Sequence, residues 1–187
     1  MNKRLFIGFR VSRKIIDIIS MLRSTLIDQE KYYNWVSGNN LHLTLLYLGS
    51  QEANQIDEIT KRIYRVSNEF NDFTIEVNKT GAFFKNRQEQ ALWLGVDEED
   101  NALDKINYEL RSGLEELIDL GKASKFSPHI TIARKKNMYK NNKIDVKNFM
   151  NSVYFPMRFH IKYFTLFESS IVENKVHYKI IEKFNLT

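Results

Sequence analysis

The chain carries two copies of a His-x-Thr-x pattern, His42–Leu45 and His129–Ile132, which use two of its four histidines. Side chains of a β-strand alternate between its two faces. Each copy would therefore place a histidine and a threonine on one face and two aliphatic residues on the other. Two such strands facing each other would bring two imidazoles and two hydroxyls to one small anionic group. This combination of groups suits acid–base attack on a phosphodiester.

The two histidines of these motifs, His42 and His129, are predicted to be catalytic. One neutral imidazole would remove a proton from an attacking water, and one imidazolium would protonate the leaving oxygen. Both forms can exist near neutrality because the ordinary pKa of histidine is about 6.5. Thr44 and Thr131 are predicted to bind phosphate oxygens, although threonine is also a common strand former. The other two histidines have no neighbouring threonine, and we assign them no function.

Arg134, shortly after the second motif, is predicted to bind the same phosphate, because guanidinium groups form strong hydrogen bonds to phosphate oxygens. Strict alternation would send Arg134 to the opposite face from His129 and Thr131. The prediction therefore requires the strand to end or twist at Ala133.

No metal and no cofactor are expected. The chain contains no cysteine, which excludes disulfides, a thiolate nucleophile and cysteine-based metal sites. The two motif histidines lack the accompanying carboxylate pattern of a zinc hydrolase. A phosphate-binding loop of the Gly-x-x-x-x-Gly-Lys type is also absent from the sequence.

The repeat extends beyond the two motifs. Gly8 precedes Gly95 by the same number of residues that separates His42 from His129, and both glycines lie in short apolar strands. A helix-like stretch follows each of these strands. The shared spacing predicts two related lobes with a pseudo-two-fold axis between the histidines, forming one domain over residues 1–187.

The remaining pattern predicts an α+β fold in which helices alternate with strands. Amphipathic periodicity favours helices over residues 12–29, 51–70 and 98–120, the last ending at Gly121. Two arms of a C-terminal hairpin are expected around residues 172–174. The polar stretch from Lys135 to Asn142 is expected to be a mobile loop.

Net charge is +5, and the positive charge is concentrated around the second motif. The segment from Gly121 to Lys147 contains eight Lys or Arg residues and one acid. Such a segment could contact a nucleic-acid backbone, or it could be a solvated lysine-rich loop. Trp35 could stack on a base or pack at the edge of the core. The sequence shows no membrane-spanning run and no signal peptide, so we expect a cytoplasmic protein that binds no membrane. We also expect the protein to be a monomer.

The chain resembles the 2H phosphoesterases, and among them the RNA 2′,3′-cyclic phosphodiesterases, also called 2′-5′ RNA ligase-like proteins. The resemblance implies a bilobal α+β fold with two antiparallel sheets facing a central cleft and helices outside. It implies hydrolysis of a 2′,3′-cyclic phosphate end of RNA to a 2′-phosphate without metal or ATP, with His42 as acid and His129 as base. The matching residues are Arg4–Gly8, Trp35, Asn40–Gly49, Phe126–Arg134, Phe167–Ser170 and Tyr178.

Two other functions are compatible with these residues. The first is a ligase that joins RNA ends through a 2′-5′ bond, because microscopic reversibility allows the same groups to act in both directions. The second is a non-catalytic RNA-binding or nucleotide-binding module. The two intact motifs argue against the second function, since binding alone does not need two titrating groups.

Overall fold

The structure, a computed structural model, describes residues 2–12, 14–98, 100–122, 125–173 and 175–187. Asn174, which the sequence places in the C-terminal hairpin turn, lies outside the described residues. Within this part of the chain there are nine strands and four α-helices. They are β1 (Asn2–Arg10), α1 (Ile15–Ser24), β2 (Tyr33–Trp35), β3 (His42–Glu52), α2 (Ile56–Ser67), β4 (Phe73–Lys85), β5 (Gln88–Glu98), α3 (Ala102–Leu114), β6 (His129–Lys135), α4 (Lys147–Met150), β7 (Met157–Ile161), β8 (Tyr163–Val172) and β9 (Lys175–Asn185).

The strands form two antiparallel halves of four strands each. Their order across the sheet is β7-β4-β5-β6-β3-β1-β8-β9, and β2 pairs separately with β6. Between β3 and β6, the central strands, a single residue pair, Leu43 with Ile130, joins the halves into one continuous sheet. The predicted α+β fold with two facing antiparallel sheets is confirmed, and the two sheets are connected by that pair.

The strand order also confirms the predicted pseudo-two-fold arrangement. The motif strands β3 and β6 lie at the centre, and β1 and β5 are their neighbours in the two halves. Gly8 on β1 is opposite Thr44, and Gly95 on β5 is opposite His129. The glycines that share a spacing in the sequence therefore occupy equivalent strands beside the two motifs.

The helices cover one face of the sheet, as expected for amphipathic segments. Helix α2 buries Ile59, Ile63 and Val66, and α3 buries an apolar stripe of the same kind. The two helices contact each other; α2 also packs on β8 and β9, and α3 on β3. Burying each such side chain contributes roughly 1.5–3 kcal/mol. The opposite face of the sheet is therefore the one available for a binding cleft. No helix among the described residues is both long and apolar enough to span a bilayer.

The helices are shorter than the periodicity predicts. Strand β3 continues through Gly49, whose φ of +76° is accessible to glycine without strain, and it ends at Glu52. Helix α2 therefore begins at Ile56 rather than at residue 51. Helix α3 ends at Leu114, and turns lead from there to Gly121, which has a φ of +64°.

Candidate active site

The two motif histidines have closely similar surroundings. His42 and His129 are each half-buried at the start of their strand. The Nδ1 atom of His42 lies 2.6 Å from the carbonyl oxygen of Asn40, and that of His129 lies 2.7 Å from the carbonyl oxygen of Ser127. A carbonyl can only accept, so Nδ1 is the donor in both rings. In the neutral form, Nε2 is then the unprotonated nitrogen that can exchange a proton with a substrate.

Aromatic rings fix the imidazole of His42. Its ring centroid lies 5.0 Å from that of Phe6 and 5.0 Å from that of Tyr178. Gly8, on the same strand as Phe6, allows β1 to approach β3 closely, because a Cβ there would lie 2.2 Å from the carbonyl oxygen of Leu43. Close packing of this kind restricts the imidazole to one orientation.

The imidazole of His129 is held in an equivalent way in the other half of the sheet. Its ring centroid lies 4.7 Å from that of Phe83 and 6.3 Å from that of Trp93. Trp93 occupies space that only a glycine leaves free, because a Cβ at Gly81 would lie 2.1 Å from the indole ring. Trp93 is the residue that the sequence repeat aligns with Phe6.

A β-bulge in β6 brings Arg134 to the face that carries His129. Thr131 and Ala133 pair with consecutive residues of β5, so Ile132 is an extra residue in the strand. Ile132 and Ala133 are both fully buried, and Arg134 is exposed. The extra residue shifts the alternation by one position. The twist that the sequence required at Ala133 is therefore present as this bulge.

The guanidinium of Arg134 has no hydrogen-bond or ion-pair partner within the described ranges, yet its charge acts on both histidines. Burial lowers the pKa of His42 and of His129 below the ordinary value. The hydrogen bond at Nδ1 opposes this effect in each ring, and the charge of Arg134 lowers both pKa values further. Arg10 and His129 also lower the pKa of His42. Arg134 is thus an unneutralised cation close to two imidazoles.

Thr44 and Thr131 lie two residues after the histidines and are half-buried. Thr44 is opposite Gly8, and Thr131 is opposite Trp93. In the part of the chain that the structure describes, neither hydroxyl has a hydrogen-bond partner. The structure therefore brings together the five residues predicted from the sequence, and leaves the threonine hydroxyls available to a ligand.

Lys135 does not belong to a mobile loop, and this part of the sequence prediction is wrong. It is the last residue of β6, and its Nζ lies 2.5 Å from Oε1 of Glu89, with both side chains only 2% exposed. Nζ also donates to the carbonyl oxygen of Asn142. The bulge explains why Lys135 is buried. The shift in alternation that exposes Arg134 directs the following residue, Lys135, into the interior. Tyr33, paired with Lys135 on β2, has its pKa raised by burial and by the charge of Glu89.

Among the described residues Trp35 forms no ring contact with either motif histidine, and its own contacts favour the packing interpretation over base stacking. Its indole Nε1 donates to the carbonyl oxygen of Glu30 at 3.0 Å, and the guanidinium of Arg23 lies 4.8 Å from the ring centroid. It is also packed against the hydrophobic core. The aromatic rings beside the histidines are instead Phe6, Tyr178, Phe83 and Trp93.

A cavity of about 1130 Å³ does not coincide with this cleft. It lies at the edge of the second half, between the end of α2 and the starts of β4 and β7, and its lining includes Asp72 and His160. Among the described residues, no three or more His, Asp or Glu side chains are grouped so as to hold a metal ion.

Paired His and Thr side chains lie on the two central strands of this pseudo-symmetric antiparallel sheet, as the resemblance to the 2H phosphoesterases predicts. The chain belongs to the 2′-5′ RNA ligase superfamily, whose family model matches residues 12–170. This confirms the family predicted from the sequence.

Several proteins are similar to this chain. An RNA 2′,3′-cyclic phosphodiesterase of Thermotoga maritima is 33% identical over 71% of this chain and 70% of its own length. An RNA 2′,3′-cyclic phosphodiesterase of Aquifex aeolicus is 30% identical over 72% of this chain and 71% of its own length. A crystal structure of a Thermus thermophilus protein superposes with a TM-score of 0.78 at 23% identity, covering 98% of this chain and 97% of that one. The two curated relatives bear the name of the enzyme class predicted from the sequence.

Proposed function

We propose that this protein hydrolyses 2′,3′-cyclic phosphodiester ends of RNA to a 2′-phosphomonoester. The observation that carries the proposal is the pair of imidazoles, each with Nδ1 bonded to a carbonyl and each under the influence of the charge of Arg134. The names of the curated relatives support the choice of substrate.

In the proposed mechanism, water attacks the phosphorus atom in line with the bond to O3′. His129 accepts the proton of the attacking water through Nε2, and His42 donates a proton to O3′ as the P–O3′ bond breaks. Thr44, Thr131 and Arg134 bind the non-bridging oxygens and stabilise the additional negative charge of the transition state. No step requires a metal ion or a nucleoside triphosphate.

The assignment of His42 as the acid and His129 as the base follows the resemblance to the 2H phosphoesterases. Burial lowers the pKa of both histidines, and the charge of Arg134 lowers both further, so the electrostatic surroundings act in the same direction on the two rings.

The test is an assay on a short RNA ending in a 2′,3′-cyclic phosphate, with products separated as 2′- and 3′-phosphates. We expect the 2′-phosphate to form at the same rate with and without a strong chelator. A 3′-phosphate product would show that O2′, and not O3′, is the leaving oxygen. Loss of activity in chelator that added divalent metal restores would contradict the proposed mechanism.

The pH dependence provides a further prediction. Because the pKa values of His42 and His129 are both lowered in the free protein, the bell-shaped profile of kcat/KM should be centred below pH 6.5. Bound substrate adds a negative charge that favours the imidazolium forms, so the profile of kcat should lie at higher pH. Steady-state kinetics from about pH 4 to 9 would measure both profiles.

Arg134→Gln removes a charge that lowers both pKa values, so its kcat/KM profile should move toward higher pH as well as decrease in height. Arg65, an exposed residue in the last turn of α2, provides a matched control. Arg65→Gln should leave both limbs of the profile in place. A shift of the Arg134→Gln profile toward lower pH would contradict the proposed electrostatics.

A further inference from the structure

The first half of the sheet contains a second bulge, at the position equivalent to the one that exposes Arg134. Thr44 and Leu46 pair with consecutive residues of β1, so Leu45 is the extra residue. Leu45 and Leu46 are both buried, and Tyr47 is 45% exposed. Tyr47 follows His42 by the same number of residues as Arg134 follows His129. The pseudo-two-fold symmetry therefore relates a tyrosine to an arginine.

A cation accompanies this tyrosine. The Nε atom of Arg4 donates to the hydroxyl of Tyr47, and the Arg4 guanidinium carbon lies 5.3 Å from the centroid of the Tyr47 ring. Arg4 is exposed and forms no ion pair with any carboxylate that the structure describes. Each bulge thus leads to a guanidinium without a carboxylate partner, one directly and the other through Tyr47.

Both residues of the Arg4–Tyr47 pair lie on the face of the sheet that carries the histidines. Tyr47 is directly opposite Phe6 in the β1–β3 register, and Phe6 contacts the ring of His42. Arg4 precedes Phe6 by two residues on the same strand and therefore shares its face. Burial raises the pKa of Tyr178, and the charges of Arg134 and Arg4 both lower it. Tyr178 contacts His42, so Arg4 belongs to the same cleft.

Along the strand direction, Arg4–Tyr47 and Arg134 lie on opposite sides of the pair Leu43–Ile130. The strands β3 and β6 are antiparallel and meet at Leu43 and Ile130, so residues that follow the two motifs extend in opposite directions from this pair. The charge of Arg134 acts on both imidazoles, which places it beside the reacting group. The other cation is available for a second anion of the same ligand.

We propose that Arg4 and Tyr47 form a binding site for the phosphate on the 5′ oxygen of the terminal nucleotide, which in RNA is the first internucleotide phosphate. This inference rests on the proposed function, since it takes the reacting cyclic phosphate to lie between the histidines. A guanidinium fork and a phenolic hydroxyl are donors suited to phosphate oxygens. The site selects RNA ends and 5′-phosphorylated nucleotides over nucleosides with a cyclic phosphate alone.

The kinetic test compares three substrates that share one base and one 2′,3′-cyclic phosphate. The first has a free 5′-hydroxyl, the second a 5′-phosphate, and the third is a dinucleotide. Arg4→Gln should lower kcat/KM about 10- to 100-fold on the second and third substrates, which is the usual effect of losing one charged hydrogen bond. The same substitution should leave kcat/KM for the first substrate unchanged. Most of the loss should appear in KM, because the contact is equally strong in the bound substrate and in the transition state.

Two other variants separate charge from shape. Arg4→Lys retains the charge without the planar fork, so it should recover part of the loss. Tyr47→Phe retains the ring without the hydroxyl and should show a smaller loss on the same two substrates. Arg65→Gln, the control on α2, should affect none of the three. Loss on the dinucleotide alone, with no response to a 5′-phosphate, would assign Arg4 to the upstream base or sugar and overturn the proposal. Equal losses on all three substrates, or no loss on any, would also overturn it.

A binding experiment separates this inference from the proposed function. Adenosine 2′,5′-bisphosphate and adenosine 2′-monophosphate resemble products and can be titrated calorimetrically into the full chain. The bisphosphate should bind about tenfold or more tightly, and Arg4→Gln should remove the difference. If this result is obtained while no cyclic phosphate is hydrolysed, the binding site stands and the proposed reaction fails. If hydrolysis occurs and the two ligands bind equally, the reaction stands and the site fails.

Discussion

His42→Ala and His129→Ala are each expected to lower kcat about 10²–10⁴-fold on a 2′,3′-cyclic phosphate, the usual contribution of a positioned acid or base. The kcat of the double variant should be close to that of the less active single variant, because the two groups act together in one step. The measurement is single-turnover kinetics with product separation. The substrate should keep its natural O3′ leaving group, since a good leaving group would not need the acid.

His160 supplies the control for these variants. It lies on β7 and pairs with Asp72 at 2.9 Å, away from both motifs. His160→Ala should leave turnover within about twofold of the original protein, the size expected when no positioned acid or base is lost. Near-normal turnover by either His42→Ala or His129→Ala would eliminate the two-histidine mechanism.

Lys135→Gln is expected to destabilise the protein by about 3–5 kcal/mol, the usual result of removing one partner from a buried ion pair. The Glu89 carboxylate would remain 2% exposed without its cation. The measurement is chemical denaturation monitored by tryptophan fluorescence. Replacing both partners by apolar residues of similar size, Glu89→Leu with Lys135→Met, should recover most of the loss, because no charge is then left buried.

Lys140→Gln is the matched control for the buried lysine. Lys140 belongs to the same basic segment and is exposed, so its substitution should change the unfolding free energy by less than about 0.5 kcal/mol. If Lys135→Gln were as mild as Lys140→Gln, the ion pair would contribute nothing to stability. Because Lys135 is buried in an ion pair, its substitution would confuse a loss of stability with a loss of RNA binding. The exposed Lys140 is the appropriate residue for testing RNA contacts.

The sequence predicts the arrangement of the motifs well because it depends on local alternation and on a repeated spacing. His42, Thr44, His129 and Thr131 share one face, with the aliphatic residues on the other, as the period of two requires. The sequence repeat also identifies β1 and β5 as equivalent neighbours. These features follow from short-range geometry, which a single sequence contains.

The positions beyond the motifs could not be derived from alternation. A bulge changes which face each following residue occupies, and the two bulges beside the motifs coincide with pairs of consecutive aliphatic residues, Leu45-Leu46 and Ile132-Ala133. The bulge at the second pair places Arg134 in the cleft and Lys135 in the interior. Glu89 lies far from Lys135 in sequence, so no local pattern indicates that they pair. Helix ends likewise depend on tertiary packing rather than on periodicity.

The two halves of the sheet meet along a line through the single pair Leu43–Ile130. Both imidazoles lie beside this line, since His42 and His129 immediately precede the paired residues. If the two halves rotated about this line, the displacement of any point would grow with its distance from the line. The outer strands β9 and β7 would therefore travel far for a small rotation, while the separation of the two Nε2 atoms would change little. In the proposed reaction, a rotation of this kind would let the outer strands adjust to bases of different size without separating the two histidines.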